Sequence, residues 1–127
     1  MHATMNKLTG RILRWFPALL VAAAIFIFSS LPGRELPSLG TWDFLAKKGA
    51  HALGYGLLAA SVWGGLSWNR KLWWLALVAA CAYACTDEFH QSFTPGRHPS
   101  IVDVGIDTLG AGIAVAAVFL AMKKGRR

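Results

Sequence analysis

Four long apolar runs constrain this chain more than any other feature: Trp15 to Leu31, Ala50 to Leu66, Leu72 to about Phe89, and Ile101 to Met122. Each holds about 17 to 22 residues, and at ~1.5 Å rise per residue a helix of that length covers most of a ~30 Å hydrocarbon core. Hydrophobic residues make up 55% of the 127 and charged residues only 15%, an apolar balance unusual for a soluble domain of this size. The expectation is one all-α domain over 1–127, a polytopic membrane protein forming an antiparallel bundle of four transmembrane helices at about 15–31, 48–67, 72–91 and 100–122. Lys7, Arg11 and Arg14 before the first run also fit the start of a secretory signal, but FSSLPGREL lacks a clear Ala-x-Ala cleavage site, which favours an uncleaved helix.

Orientation follows from the basic flanks. The N-terminal flank, the loop around Arg70 and Lys71, and the tail Lys123 to Arg127 carry nine Lys and Arg, whereas Arg34, Lys47, Lys48 and Arg97 are the four on the other side. The positive-inside rule then puts both termini in the cytoplasm and turns the first and third loops outward. The net charge of +7 sits at the ends of apolar spans instead of along a soluble face, so the expected partner is a lipid bilayer and not nucleic acid. Trp15, Trp68, Trp73 and Trp74 fall at the cytoplasmic ends, where indole rings favour the interface. Cys81 and Cys85 lie one helical turn apart in an apolar segment and read as packing residues.

Against this background the polar residues are concentrated. TDEFHQSFTPGRHPSIVDVGID, Thr86 to Asp107, holds four of the six acidic residues. In the second helix Lys48, His51 and Tyr55 recur at spacings of three and four and share one face. At the outer end of the third, Tyr83, Asp87, Glu88, His90 and Gln91 fit a face about 160° wide. Pro95-Gly96 calls for a tight turn, and Ser100 followed by Asp103 has the form of a capping box for the fourth helix. Asp107 lies ~10 Å beyond Ser100 along that helix, at a depth where an ionisable group costs a few kcal/mol unless it faces a bundle interior or a wet cavity.

In an up-and-down bundle these residues meet near the outer leaflet. A group of carboxylates beside imidazoles is material for acid/base chemistry, with Asp87, His90, Asp107 and His51 the catalytic candidates. Lys48, Arg97, Glu88, Gln91, Tyr55 and Asp103 are the substrate-binding candidates, Lys48 and Arg97 being able to grip a phosphate or carboxylate. Asp87, His90, Asp103 and Asp107 also have the chemistry of divalent-metal ligands, although no HExxH-type signature supports a metal and no cofactor follows from the residues. Two other readings use the same residues: a proton- or ion-coupled transport pathway, and a non-catalytic module in which they fix helix packing and recruit a partner protein. Gly56 with Ala60 and Gly110 with Ala114 allow close helix approach within the chain or between copies in a homo-oligomer.

FSSLPG after the first helix, Lys48-x-x-His51-x-x-x-Tyr55, Asp87-Glu88-x-His90-Gln91, Pro95-Gly96-Arg97 and Asp103-x-x-x-Asp107-x-x-Gly110 together resemble the VanZ-like membrane protein family, over about Ser29 to Gly112. The resemblance implies a small multi-helix protein of the bacterial cytoplasmic membrane, in a family whose founding member is associated with low-level teicoplanin resistance, and supplies no established reaction. The expected function is an outward-facing polar site that binds or modifies an anionic envelope component, a lipid headgroup or a cell-wall precursor, with an effect on glycopeptide susceptibility.

Overall fold

The computed structural model describes residues 2–33 and 38–125, with side chains from Asn6 onward; Arg34, Arg126 and Arg127 of the charge tally lie outside these residues. Four helices follow one another, α1 (His2–Ser30), α2 (Asp43–Gly65), α3 (Trp73–Gln91) and α4 (Ile101–Lys124), with a 3-10 turn at Gly40–Trp42 ahead of α2. Among the described residues there is no strand. Two stretches, Asn6–Ser30 and Ile101–Lys124, are long and apolar enough to cross a membrane, each with a mean hydropathy of 2.0.

Two starts differ from the sequence expectation. Helix α1 reaches back through the basic segment to His2, since Met5, Lys7, Leu8, Arg11 and Leu13 are all good helix formers. Helix α2 begins at Asp43, because an acidic residue in the first turn suits the positive helix end and Lys47 pairs with it one turn later at 2.6 Å.

Contacts between helices define an up-and-down course. Ile25 packs beside Gly54 and Trp15 beside Gly65, so α1 and α2 run antiparallel. Ser29 bonds to Asp87, which joins the C-terminal ends of α1 and α3. Lys48 pairs with Asp103 and Gly56 meets Ala114, which sets α2 and α4 side by side and parallel. That last contact is close: a Cβ on Gly110 would run into the backbone of Ala52, and one on Gly56 would stand 3.2 Å from the Ala114 Cβ. The small-residue faces therefore serve packing within the chain.

Small residues also make up the core. Ala76, Ala80 and Ala84 of α3 are fully buried at one-turn spacing and pack in one cluster with Leu58, Ala59, Trp63, Ala111 and Val115. Where hydrocarbon surrounds the helices, close van der Waals packing of small residues replaces the hydrophobic drive that water would supply. Trp63 is buried with its ring stacked on Phe119, and its indole N–H donates to the Asn69 carbonyl at 2.9 Å. Trp15, Trp68, Trp73 and Trp74 are exposed on the bundle exterior. Cys81 is only half-buried and Cys85 is exposed, so both thiols sit outside the core that the sequence reading gave them.

Candidate functional site

The loop ends beside α3 and α4 assemble first. Thr94 to Arg97 form a tight turn, closed by the Arg97 N–H donating to the Thr94 carbonyl at 3.1 Å. Gly96 takes a φ of +74°, which a residue with a Cβ would adopt only under strain. The turn docks on the end of α1, where the Gly33 N–H donates to the Pro95 carbonyl at 3.2 Å. Arg97 secures the joint, donating from Nε to the Leu31 carbonyl at 3.2 Å and from its terminal nitrogen to the Phe28 carbonyl at 2.8 Å. A guanidinium against the last carbonyls of a helix also faces the negative end of its dipole.

Helix α4 then starts under two constraints. Ser100 is its N-cap, with Oγ accepting from the Val102 N–H at 3.1 Å. The N–H of Ser100 itself donates to Glu88 of α3 at 2.9 Å. The capping box expected between Ser100 and Asp103 is therefore not formed; Glu88 takes the reciprocal place and Asp103 turns to Lys48 of α2. An ammonium across the helix interface is a stronger partner for the carboxylate than a neutral amide.

The faces read from the sequence meet as two rows. Lys48 pairs with Asp103, and one turn deeper His51 Nδ1 lies 3.6 Å from Asp107 Oδ2. Asp107 is 1% exposed, and neither of its oxygens has a hydrogen-bond partner among the described residues. Below them Tyr55 is fully buried, its hydroxyl likewise without a partner, with its ring 6.5 Å from that of His51.

Asp87 has a different environment. Ser29 Oγ donates to Asp87 Oδ2 at 2.8 Å, and Gln91 Nε2 donates to the same oxygen at 3.0 Å. Gln91 also reaches Ser29 Oγ at 3.3 Å, so three buried side chains close a small network between α1 and α3. Tyr83 adds a second tie, its hydroxyl donating to the Ala22 carbonyl at 2.7 Å. His90, a catalytic candidate like Asp87, makes no hydrogen bond with it among the described residues. Its ring stacks on Phe26 of α1 at 4.7 Å and does not line the cavity described next.

A cavity of about 300 Å³ opens where these elements converge. Lys47, Lys48 and Arg97 face it from one set of positions and Asp43, Glu88 and Asp103 from another, while His51 lines it and Asp107 lies behind the imidazole. Gln91 connects this wall to the Asp87 network. At the rim, the hydrogen bond from Lys47 holds the Asp43 carboxyl below its ordinary range. Among the described residues no three His, Cys, Asp or Glu side chains are grouped as a metal ion would require.

Sequence reasoning overlooked Ser29, Asp43, Lys47 and His98 as parts of this region. Asp43 and Lys47 carried a usable signal, being an acid and a base four residues apart at a helix start. Ser29 carried none beyond its place in FSSLPG, and His98, just past the Pro95-Gly96-Arg97 turn, lines the cavity without any spacing that announced it.

A model of the VanZ/LLP1 family matches residues 5–122, nearly the whole chain. No match is found among curated proteins or among solved structures.

Proposed function

This chain belongs to the VanZ/LLP1 family, and we propose that it is a multi-pass protein of the bacterial cytoplasmic membrane with both termini in the cytoplasm and its polar cavity facing outward. The cavity binds, and His51 with Asp107 modifies, an envelope component bearing a phosphate or carboxylate. The observation that carries this reading is the pairing of a cavity-lining His51 with the buried, otherwise unpartnered Asp107 beside Lys48. Packing alone gives no reason to keep a carboxylate at that depth without hydrogen bonds, since such burial costs several kcal/mol.

Each residue then has a role. Lys48 and Lys47 meet the anion, while Arg97 holds the turn that closes the cavity and presents its remaining N–H groups to it. Asp107 orients the His51 ring, which leaves Nε2 as the acid/base atom toward the cavity. Glu88 and Gln91 set the wall by holding the start of α4 and the Asp87 network. A change in outer-leaflet headgroups or wall precursors would alter how an acylated glycopeptide such as teicoplanin anchors.

A second reading is favoured for Asp87 alone. With two donors satisfied inside the α1–α3 network, it serves helix packing. The test is a comparison of envelope lipids and wall precursors between cells carrying the intact protein and cells carrying Asp107→Asn at equal abundance. A shift in one headgroup or precursor class supports the proposal, and identical profiles reject it.

A further inference from the structure

Among the described residues the charges around the cavity are balanced, and that balance bears on what fits inside. Three cations, Lys47, Lys48 and Arg97, face three carboxylates, Asp43, Glu88 and Asp103. Two of the cations are already in ion pairs, Lys47 with Asp43 and Lys48 with Asp103. The Asp103 side chain is only 16% exposed.

A ligand with an anionic group alone meets an obstacle here. To engage Lys48 it must compete with Asp103, and a largely buried carboxylate stripped of its cation is strongly destabilising. Glu88 cannot relieve this, since it is a second carboxylate at the same wall and is held by the Ser100 N–H. A ligand that brings its own cation avoids the penalty: its acidic oxygens take Lys48 and its ammonium takes Asp103, so one ion pair becomes two.

Resting on the reading above, we propose that the cavity selects zwitterionic groups, an acidic oxygen function and a primary ammonium a few bonds apart. An aminoethyl phosphate and an amino acid both have this chemistry, either lipid-borne or free. Three N–H donors on the ammonium can serve Asp103 and a neighbouring acceptor, whereas a quaternary ammonium has none to offer. Selectivity among headgroups thus comes from the carboxylates of the cavity, and the lysines alone do not provide it.

The test is calorimetric titration of the full-length detergent-solubilised protein with short-chain lipids below their micelle concentration. The buffer holds roughly 0.5 M salt, to screen attraction to the exposed basic flanks. The expected order is phosphatidylethanolamine tighter than phosphatidylglycerol by about ten-fold, with phosphatidylcholine also weaker than the ethanolamine lipid. Asp103→Asn should erase the preference by weakening the ethanolamine lipid and strengthening the glycerol lipid. If wild-type protein binds phosphatidylglycerol as tightly as phosphatidylethanolamine, the inference is overturned while anion binding at the cavity stands. Binding of neither lipid overturns both. Displacement of the ethanolamine lipid by free phosphoethanolamine assigns the site to the headgroup chemistry itself, and failure of that displacement assigns it to the lipid-borne form. Because the wild-type comparison needs no variant, poor accumulation of Asp103→Asn would leave the test intact.

Discussion

His51 Nδ1 lies 3.6 Å from Oδ2 of Asp107, a side chain that is 1% exposed and accepts no hydrogen bond among the described residues. A packing residue would be expected to accept hydrogen bonds, as Asp87 does at Oδ2 from Ser29 and Gln91. Two buried aspartates in one small bundle therefore have opposite surroundings, and the two should respond differently to substitution.

Asp107→Asn keeps the shape and replaces a buried carboxyl group that accepts no hydrogen bond among the described residues. Thermal stability in detergent should stay within about 1 kcal/mol of the parent or rise, while activity on the envelope component falls at least about ten-fold. A large loss of stability would assign Asp107 to packing.

Ser29→Ala takes one donor from Asp87 and should destabilise by about 1–2 kcal/mol. Combined with Gln91→Ala in a double-mutant cycle it should show a coupling of about 0.5–3 kcal/mol, because both side chains serve the same carboxylate oxygen. Strict additivity would contradict the network.

Gly110→Ala places a methyl group against the Ala52 backbone, which cannot retreat without separating α2 from α4. The expected cost is about 1–3 kcal/mol or more, seen as reduced accumulation and a lower unfolding temperature. Gly105→Ala, where the added carbon meets open space, is the control and should be neutral.

Arg97→Lys should loosen the joint between the third loop and α1, since one ammonium cannot reproduce the two directed bonds to the Phe28 and Leu31 carbonyls. Faster hydrogen exchange at the Gly33 amide, which donates to Pro95, would report the loosening. Unchanged exchange would mean that the turn is held without the guanidinium.

The helical architecture was legible because four apolar runs of similar length admit few other arrangements. The spacings also put Lys48 and His51 on one face of α2 and Asp103 and Asp107 on one face of α4, but which residues those faces meet was not legible. What stayed hidden depends on cross-helix geometry that periodicity does not encode. His90 and Asp87 occupy neighbouring parts of a helical wheel, yet a few tens of degrees separate a ring stacked on Phe26 from a carboxylate bonded to Ser29. Arg97 looked like a free anion ligand because its carbonyl partners lie more than sixty residues away. The capping box failed for the same reason: Lys48, far away in sequence, outcompeted the local partner of Asp103.

The proposed function requires that the cavity around Lys48 hold an anionic group of an envelope component. The most direct measurement is the affinity of purified Asp103→Asn and of Asp103→Asn/Lys48→Gln, a pair in which no carboxylate loses its cation, for a phospholipid headgroup at roughly 0.5 M salt, with thermal stability recorded alongside. Binding at least about ten-fold weaker in the double variant is expected, at a stability close to that of Asp103→Asn. Equal affinities in two equally stable proteins would contradict it.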